Sequence, residues 1–233
     1  IQRFGTLKAD RGNFNSQWEE AAARLLPAHV NSFYGTGSMT AGMKNTEQQY
    51  DSTAGFAAQR FSSVIESLAT PQSAIWHRLV PTDKMLKRNR AVRIFFDDLS
   101  ELLFSYRYRP IGNFVGNSQQ VYLGLGCYGN GVIYVDAPDG ERGLRYRNIH
   151  LGEAYFAENH AGIVDTLYRC FELTAKQIVQ QFGASAPEAV RAAAAEPTQS
   201  SKKFEVLHCV YPREDHNPAR MDGAGKKFAS LYI

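Results

Sequence analysis

The hydrophobic pattern of this chain changes its period at the glycine pair Gly129 and Gly131. Before the pair, apolar residues recur every three or four positions, which is the spacing of amphipathic helices. After it, β-branched and aromatic residues form short runs around turn sequences such as Pro138, Asp139 and Gly140, which indicates hairpins. Helices followed by meander strands predict an α+β fold with antiparallel strands and disfavour a doubly wound parallel sheet.

Residues 1–128 are predicted to be the mainly helical part. We expect helices over about 14–26, 46–69, 83–108 and 117–128, a polar loop at 34–44 and an extended piece at 75–80. Asp83 is a plausible N-cap, because its carboxylate can accept a free backbone N–H of the first turn. Two helices show an apolar stripe on one face: Tyr50, Ala54, Ala57, Phe61, Ile65 and Leu68 in one, and Val92, Phe95, Leu99, Leu102 and Tyr106 in the other.

Residues 129–233 are predicted to be the mainly β part. We expect hairpins at 131–150 and 153–172, the second turning at about 159–162, and two further strands at 204–212 and 227–233. A short helix at about 174–183 is inserted among the strands, with Thr174 as its N-cap and Gly183 as its stop. The Ala-rich stretch 184–201 is predicted to be a linker that holds a short helix near 187–196.

Composition excludes several classes of protein. No apolar run approaches the roughly 18 residues of a membrane span, so we expect no membrane contact. The net charge of +3 is too mild to argue for a dedicated nucleic-acid binder. Three widely spaced cysteines argue against a disulfide framework and for a reducing compartment. The chain starts without Met and stops in a strand-like sequence, so we expect a longer protein.

The chain contains the glycine pattern of a nucleotide-binding loop, but the elements on either side of it are in the reverse order. Gly124, Gly126 and Gly129 match the dinucleotide pattern GxGxxG, which must follow a strand and open a helix. Here the pattern ends a helix and precedes a strand, so close packing at a helix exit is the favoured interpretation. The sequence has no GxxxxGK[ST] loop either, and we expect no cofactor.

One group of potential metal ligands lacks the tight spacing of a metal site. His150, Glu153, Glu158 and His160 are close in sequence, but zinc ligands need tight spacing on a held loop. The predicted hairpin spreads these side chains along two strands and their turn. Solvated strand and turn positions are therefore the favoured interpretation, and no metal site is predicted.

Two other groups were weighed as catalytic. Asp97, Asp98 and Glu101 could supply paired carboxylates for acid–base work, or simply form an exposed acidic helix face, which is favoured. His208 and Cys209 are neighbours in a strand, so they point to opposite faces and cannot act as a pair. We therefore predict no catalytic residue and no enzyme.

The strongest electrostatic feature is a basic group at the start of the predicted third helix, formed by Lys84, Lys87, Arg88, Arg90 and Arg93. It could contact a phosphate backbone, which would make the chain a nucleic-acid-binding module. It could equally be a solvated helix start or a salt-bridge surface toward another subunit. Cations in a first helical turn oppose the helix dipole, so an external partner is favoured over a role in helix stability.

Ordered blocks along nearly the whole chain resemble the head-to-tail connecting (portal) proteins of short-tailed bacteriophages, in their N-terminal, wing portion. The blocks are Trp18-Glu19-Glu20, Leu26-Pro27, Tyr50-Asp51-Ser52-Thr53-Ala54, Ser67-Leu68-Ala69-Thr70-Pro71, Trp76-His77-Arg78-Leu79, Leu151-Gly152-Glu153 through Glu158-Asn159, Val164-Asp165-Thr166, Thr174-Ala175-Lys176-Gln177 and Val210-Tyr211-Pro212-Arg213.

The resemblance implies a structural role. Portal subunits form a ring of about twelve copies at one capsid vertex, closed by heterologous contacts. Double-stranded DNA passes through the ring, the packaging terminase and tail adaptor proteins dock on it, and capsid protein surrounds it. The implied location is the virion, after assembly in the host cytoplasm. Aromatic residues are then candidate core or interface anchors, namely Trp18, Trp76, Tyr106 and Tyr122.

Overall fold

The computed structural model describes residues 2–30, 32–33, 51–137 and 142–233. Helices dominate the N-terminal half and antiparallel strands follow, so the predicted α+β class is confirmed. The described residues form α1 (Gln2–Asp10), α2 (Gly12–Leu25), α3 (Thr53–Ala69), α4 (Arg90–Arg107), α5 (Phe114–Tyr128), β1 (Val132–Asp136), β2 (Arg145–Ile149), β3 (Ala154–Glu158), β4 (Val164–Thr174), α6 (Ala175–Phe182), α7 (Glu188–Ala195), β5 (Lys203–Pro212) and β6 (Phe228–Tyr232).

The chain divides into two compact units. The first unit comprises the described parts of Ile1–Glu19, Asn31–Met43 and Gly152–Ile233, and the second those of Glu20–Val30 and Lys44–Leu151. This division follows contacts, whereas the predicted division at residue 128 follows secondary structure. The division by contacts therefore does not test the predicted boundary at residue 128, which stays a prediction.

The first unit is built on a four-stranded antiparallel meander in the order β3-β4-β5-β6. Because side chains alternate across a strand, the sheet has two apolar faces. One face carries Tyr155, Tyr168, Cys170 and Cys209, against which Phe4 and Leu7 of α1 pack. The other face carries Phe171 and Val206 beneath α6 and α7. Helices therefore cover both sides of the sheet.

The inserted helix confirms the predicted caps. The Thr174 hydroxyl accepts a hydrogen bond from Gln177 N, the Gln177 side chain accepts one from Thr174 N, and Gly183 follows the last helical residue. The short helix predicted near 187–196 is confirmed by α7, which buries Val190 and Ala193 in the same apolar cluster as Ile178. An Ala-rich helix has little side-chain bulk, so it can pack closely against α6.

In the second unit, α3 packs on α5, where the Ser62 hydroxyl donates to Gln119 O at 2.7 Å. The hairpin β1–β2 packs on the other side of α5, and Asn148 N donates to the Asn117 side chain at 2.7 Å. The predicted loop at 34–44, the helix segment at 46–50 and the turn at 138–140 lie outside the described residues. Residues 75–80, predicted to be an extended piece, belong to no helix or strand of the structure.

An aromatic cluster forms the core between α4, α5 and β2. Phe114 is in ring contact with Tyr108 at 5.5 Å and Tyr146 at 4.9 Å, both edge-to-face, and with Trp76 at 6.3 Å. The Trp76 indole N–H donates to the Tyr108 hydroxyl at 3.0 Å. The Arg107 guanidinium lies 4.5 Å from the Trp76 ring centroid and donates to the Tyr146 hydroxyl. Trp76 is therefore a core anchor of this unit.

The start of α4 corrects the sequence prediction. The Asn89 side chain accepts from Ala91 N and Val92 N, so Asn89 is the N-cap. The Asp83 carboxylate instead accepts from Met85 N at 2.7 Å within a turn. A short 3-10 helix, Leu86–Arg88, separates that turn from α4. No helix in the described part of the chain is long and apolar enough to cross a membrane.

Candidate functional site

The helices α3 and α4 each leave an apolar face on the protein surface. The side of α3 that packs into the unit centres on Ser62, whereas Phe56 and Leu68 are 67% and 77% exposed. On α4 the buried side centres on Ser100, whereas Phe95 is 61% exposed and Leu102 is also exposed. Large exposed apolar areas of this kind mark interaction surfaces.

These faces correct the predicted stripes. Leu68 and Phe61 on α3, and Phe95 and Leu102 on α4, belong to the predicted apolar stripes, but they are exposed. Apolar residues cover more than one side of each helix, so the predicted stripe falls between the buried side and the surface side. A helix with apolar side chains on more than one side needs an apolar neighbour on each of those sides. On α3 and α4 some of these side chains remain exposed.

The predicted basic group lies on the surface but not on one helix. Arg90 and Arg93 belong to the first turns of α4, whereas Lys84, Lys87 and Arg88 lie in the preceding turn and 3-10 helix. The prediction that all five cations lie at the start of one helix is therefore wrong. All five side chains are exposed, and the ion pairs of the described residues include none of them.

Apolar side chains lie among these cations. Met85, between Lys84 and Leu86, is 72% exposed, and Leu86, Ile94 and Phe95 are exposed as well. We call this surface the basic–apolar patch; it comprises Lys84, Met85, Leu86, Lys87, Arg88, Arg90, Arg93, Ile94 and Phe95. The interleaving is visible in the sequence, but the sequence prediction considered only the charges.

The glycine pattern has the packing role that was predicted. Gly124 and Gly126 lie within α5, and Gly129 ends it with a φ of 77°. A Cβ added at Gly126 would lie 2.7 Å from the Phe61 ring, so the glycine lets α3 approach α5 closely. Gly129 takes the left-handed conformation that commonly follows a helix end.

Asp97 among the acid–base candidates and Glu153 among the potential metal ligands each have a structural partner. Asp97 accepts two hydrogen bonds from the Arg78 guanidinium, at 2.8 and 2.6 Å, beside exposed Asp98 and Glu101. Glu153 pairs with Arg169 at 2.8 Å in the first unit. Among the described residues, no three His, Cys, Asp or Glu side chains are grouped as metal ligands would be.

The strand residues considered for nucleophilic chemistry are also structural. The His208 ring stacks on Tyr232 and shares a hydrogen bond with Ser230, while Cys209 lies in the cluster on the opposite face, as predicted. Burial, with a hydrogen bond to the Glu205 carboxylate, raises the pKa of Cys170 to about 12. A thiol that stays protonated is a poor nucleophile.

The sequence prediction missed two structural cations, the buried Arg11 and the half-buried Arg107. Arg11 donates to the backbone oxygens of Ala154 and Gly152 in the first unit, at 2.7 and 3.0 Å. Arg107 lies within the aromatic cluster of the second unit. No local pattern in the sequence signals either position, because the partners come from segments far along the chain.

A histidine pair in the second unit predicts a pH-dependent stability. The His29 ring meets His150 edge-on at 4.9 Å, and its Nδ1 lies 3.3 Å from the Tyr128 hydroxyl. Burial lowers the pKa of His29 below its ordinary value of 6.5. At pH values well above 6.5, the His29 ring is neutral in both the folded and the unfolded chain. Below it, the unfolded chain takes up the proton first, so the free energy of unfolding falls until the pH passes the folded-state pKa.

The measurement is urea unfolding from about pH 7.5 to about pH 5.5, with His29→Phe as the comparison. The variant keeps an aromatic ring against Tyr128 and His150, so we expect it to lose less stability on acidification than the wild type. His77 contributes in the same direction, because burial and the nearby Arg107 lower its pKa, so some slope remains. Equal slopes in the two proteins would show that His29 does not carry this effect.

An α+β chain whose helices leave apolar faces on the surface has the features of a subunit of a larger assembly. The chain belongs to the family of the bacteriophage head to tail connecting protein, which it matches over residues 1–233. It is 24% identical over 238 residues to the "Probable portal protein" of Bordetella phage BPP-1, and 24% identical over 233 residues to the "Portal protein" of Salmonella phage epsilon15. Both alignments cover 100% of this chain and 41% of the relative, so the chain spans about two fifths of their length. The predicted family is thus confirmed.

Proposed function

We propose that the chain acts in a structural portal subunit, which forms a ring at one capsid vertex. Viral DNA would be packaged and ejected through the ring, and the packaging terminase, tail adaptor proteins and capsid protein would contact it. The place of action is then the virion, after assembly in the host cytoplasm, with no catalytic step in this chain. The names of the two relatives and the family match support this proposal.

The main structural support for a ring is the exposed apolar surface of α3 and α4. A chain that worked alone would keep Phe56, Leu68 and Phe95 in water at a cost in solubility. In a ring, each copy meets two neighbours through different faces, which gives such surfaces an apolar partner. We propose a ring of about twelve copies, as the family resemblance implies.

Electron microscopy of the full-length protein tests the proposal. We expect closed rings with an open channel, and particle masses that are whole multiples of the chain mass. Leu68→Glu and Phe95→Glu place charge on the exposed faces, so we expect folded chains that form far fewer rings. Monodisperse wild-type monomers at high concentration would contradict the proposal.

A second candidate function is nucleic-acid binding through the basic group. The observation in its favour is that Lys84, Lys87, Arg88, Arg90 and Arg93 are exposed and outside the ion pairs of the described residues. Such a module would bind duplex DNA with an affinity that falls steeply with salt. Neutralising Lys87, Arg88 and Arg90 would then weaken binding and reduce the salt dependence.

A further inference from the structure

The turn between β3 and β4 holds two apolar side chains on the surface of the first unit. The Asn159 carboxamide oxygen accepts from Ala161 N at 2.9 Å and from Ile163 N at 3.2 Å, and Gly162 takes a φ of 71°. These bonds fix the turn in one conformation. Ile163 is 62% exposed and Val164 is also exposed, so the turn presents an ordered apolar knob.

An acidic groove opens beside this knob. Its volume is about 820 Å³, and its charged lining consists of Arg3, Glu158, Asp165, Arg213, Glu214 and Asp215. Four carboxylates therefore face two guanidinium groups. Arg213 pairs with Asp215 at 3.2 Å, whereas Glu158, Asp165 and Glu214 belong to none of the ion pairs of the described residues. The groove thus has an excess of negative charge next to exposed apolar side chains.

The basic–apolar patch of the second unit has the opposite character. It combines five exposed cations with exposed Met85 and Leu86. A phosphate backbone would neutralise the cations but would offer no apolar partner to Met85 or Leu86. A protein surface with carboxylates beside apolar side chains matches both features of the patch.

The acidic groove with its apolar knob is such a surface, and every copy of the chain carries both. We propose that the basic–apolar patch of one copy docks on the acidic groove and the Ile163–Val164 knob of the next copy. The contact joins two different surfaces, so it is heterologous, and repetition at a fixed rotation closes a ring. This inference rests on the proposed ring and names the surfaces that form it.

Each part of the contact has its own role. Burial of Met85 and Leu86 against Ile163 and Val164 supplies apolar area, which is the main source of affinity in most interfaces. The charges set the orientation and speed the encounter between copies. Like-charged juxtapositions are costly, so the same charges prevent patch-to-patch pairing, which would give closed dimers instead of rings.

A charge-reversal experiment in the full-length protein tests the contact. One variant combines Lys87→Glu, Arg88→Glu and Arg90→Glu, which turns the net charge of the patch negative, and the other combines Glu158→Lys with Glu214→Lys; all five side chains are exposed, so both variants should fold. We expect each variant alone to form about tenfold fewer rings than the wild type at equal concentration. In an equimolar mixture, the reversed patch of one variant matches the reversed groove of the other. We therefore expect rings to return, with the two variants alternating in native mass spectra.

Controls separate this proposal from the proposed function. Glu188→Lys adds positive charge on α7, which packs on the face of the sheet opposite α1, and should leave ring formation unchanged. Wild-type protein without rings would overturn the proposed function itself. Rings from either variant alone, or folded variants that remain unassembled when mixed, would overturn the docking contact. Loss of duplex DNA binding with normal ring formation in Lys87→Glu/Arg88→Glu/Arg90→Glu would also overturn it and would assign the patch to nucleic acid.

Discussion

Replacement of Phe114 by alanine is expected to destabilise the second unit by about 3–5 kcal/mol, the usual cost of removing a buried aromatic side chain. Phe114 is 8% exposed and contacts the rings of Trp76, Tyr108 and Tyr146. The substitution would open a cavity among rigid rings that cannot collapse into it. It would also remove an aromatic neighbour of the Arg107 guanidinium, which lies 5.4 Å from the Phe114 centroid.

The measurement is urea and thermal unfolding of matched variants. For a chain of this size we expect the midpoint temperature to fall by about 10 °C. Phe95→Ala is the control, because the same chemical change is made at a side chain that is 61% exposed; its effect should stay within about 0.5 kcal/mol. Phe114→Leu keeps part of the volume and should fall between the two. Equal effects of the buried and exposed substitutions would show that the aromatic cluster is not the core of this unit.

The contrast between Phe114 and Phe95 also shows what the sequence pattern cannot decide. Both are aromatic residues in helices, and only Phe95 belonged to a predicted apolar stripe. Periodicity identifies apolar sides of a helix but not which neighbour covers them. On α3 and α4 one side packs inside the unit, whereas Phe56, Leu68 and Phe95 on another side are exposed. The fold class was predictable from the change of period, whereas the exposed faces were not.

Local signals were predicted well because their partners are close in sequence. The Thr174 cap and the turn at Asn159 use backbone groups within four residues. The helix α1 was missed for the opposite reason. Its sequence is polar, and it is held by Phe4 and Leu7 packing on Tyr155 and Tyr168, more than a hundred residues away. Tertiary contacts of that kind override local propensity.

The sequence was sufficient to predict which cations form the candidate site, but not how the fold arranges them. The five cations were identified from their density in the sequence. Their division between a turn, a 3-10 helix and α4 depends on whether Asp83 or Asn89 caps the helix, and both residue types are good caps. The acidic groove was not predicted at all, because Glu158 and Glu214 lie far apart in the sequence and meet only through the sheet register.

Replacement of Arg11 by methionine is expected to destabilise the first unit by about 3 kcal/mol, the scale for breaking a buried hydrogen-bonded charge. Arg11 is 8% exposed, donates to the backbone oxygens of Ala154 and Gly152, and places its guanidinium 3.7 Å from the centroid of the Tyr155 ring. Burial lowers the pKa of Arg11, but an arginine remains charged at neutral pH. Methionine fills similar space, so the loss would come from the carbonyl oxygens left without their donors.

Arg11→Lys separates charge from geometry. An ammonium group keeps the positive charge but lacks the planar fork that reaches two carbonyl oxygens at once, so we expect an intermediate loss of about 1–2 kcal/mol. Arg3→Met, at an exposed arginine of α1, the helix that precedes Arg11, controls for the change in net charge and should alter stability by less than about 0.5 kcal/mol. A double-mutant cycle with Tyr155→Leu should show a coupling of about 1 kcal/mol from the contact between guanidinium and ring. If Arg11→Met unfolds at the same urea concentration as Arg3→Met, then α1 is held on the sheet by Phe4 and Leu7 alone, and the hydrogen bonds of Arg11 add no net stability.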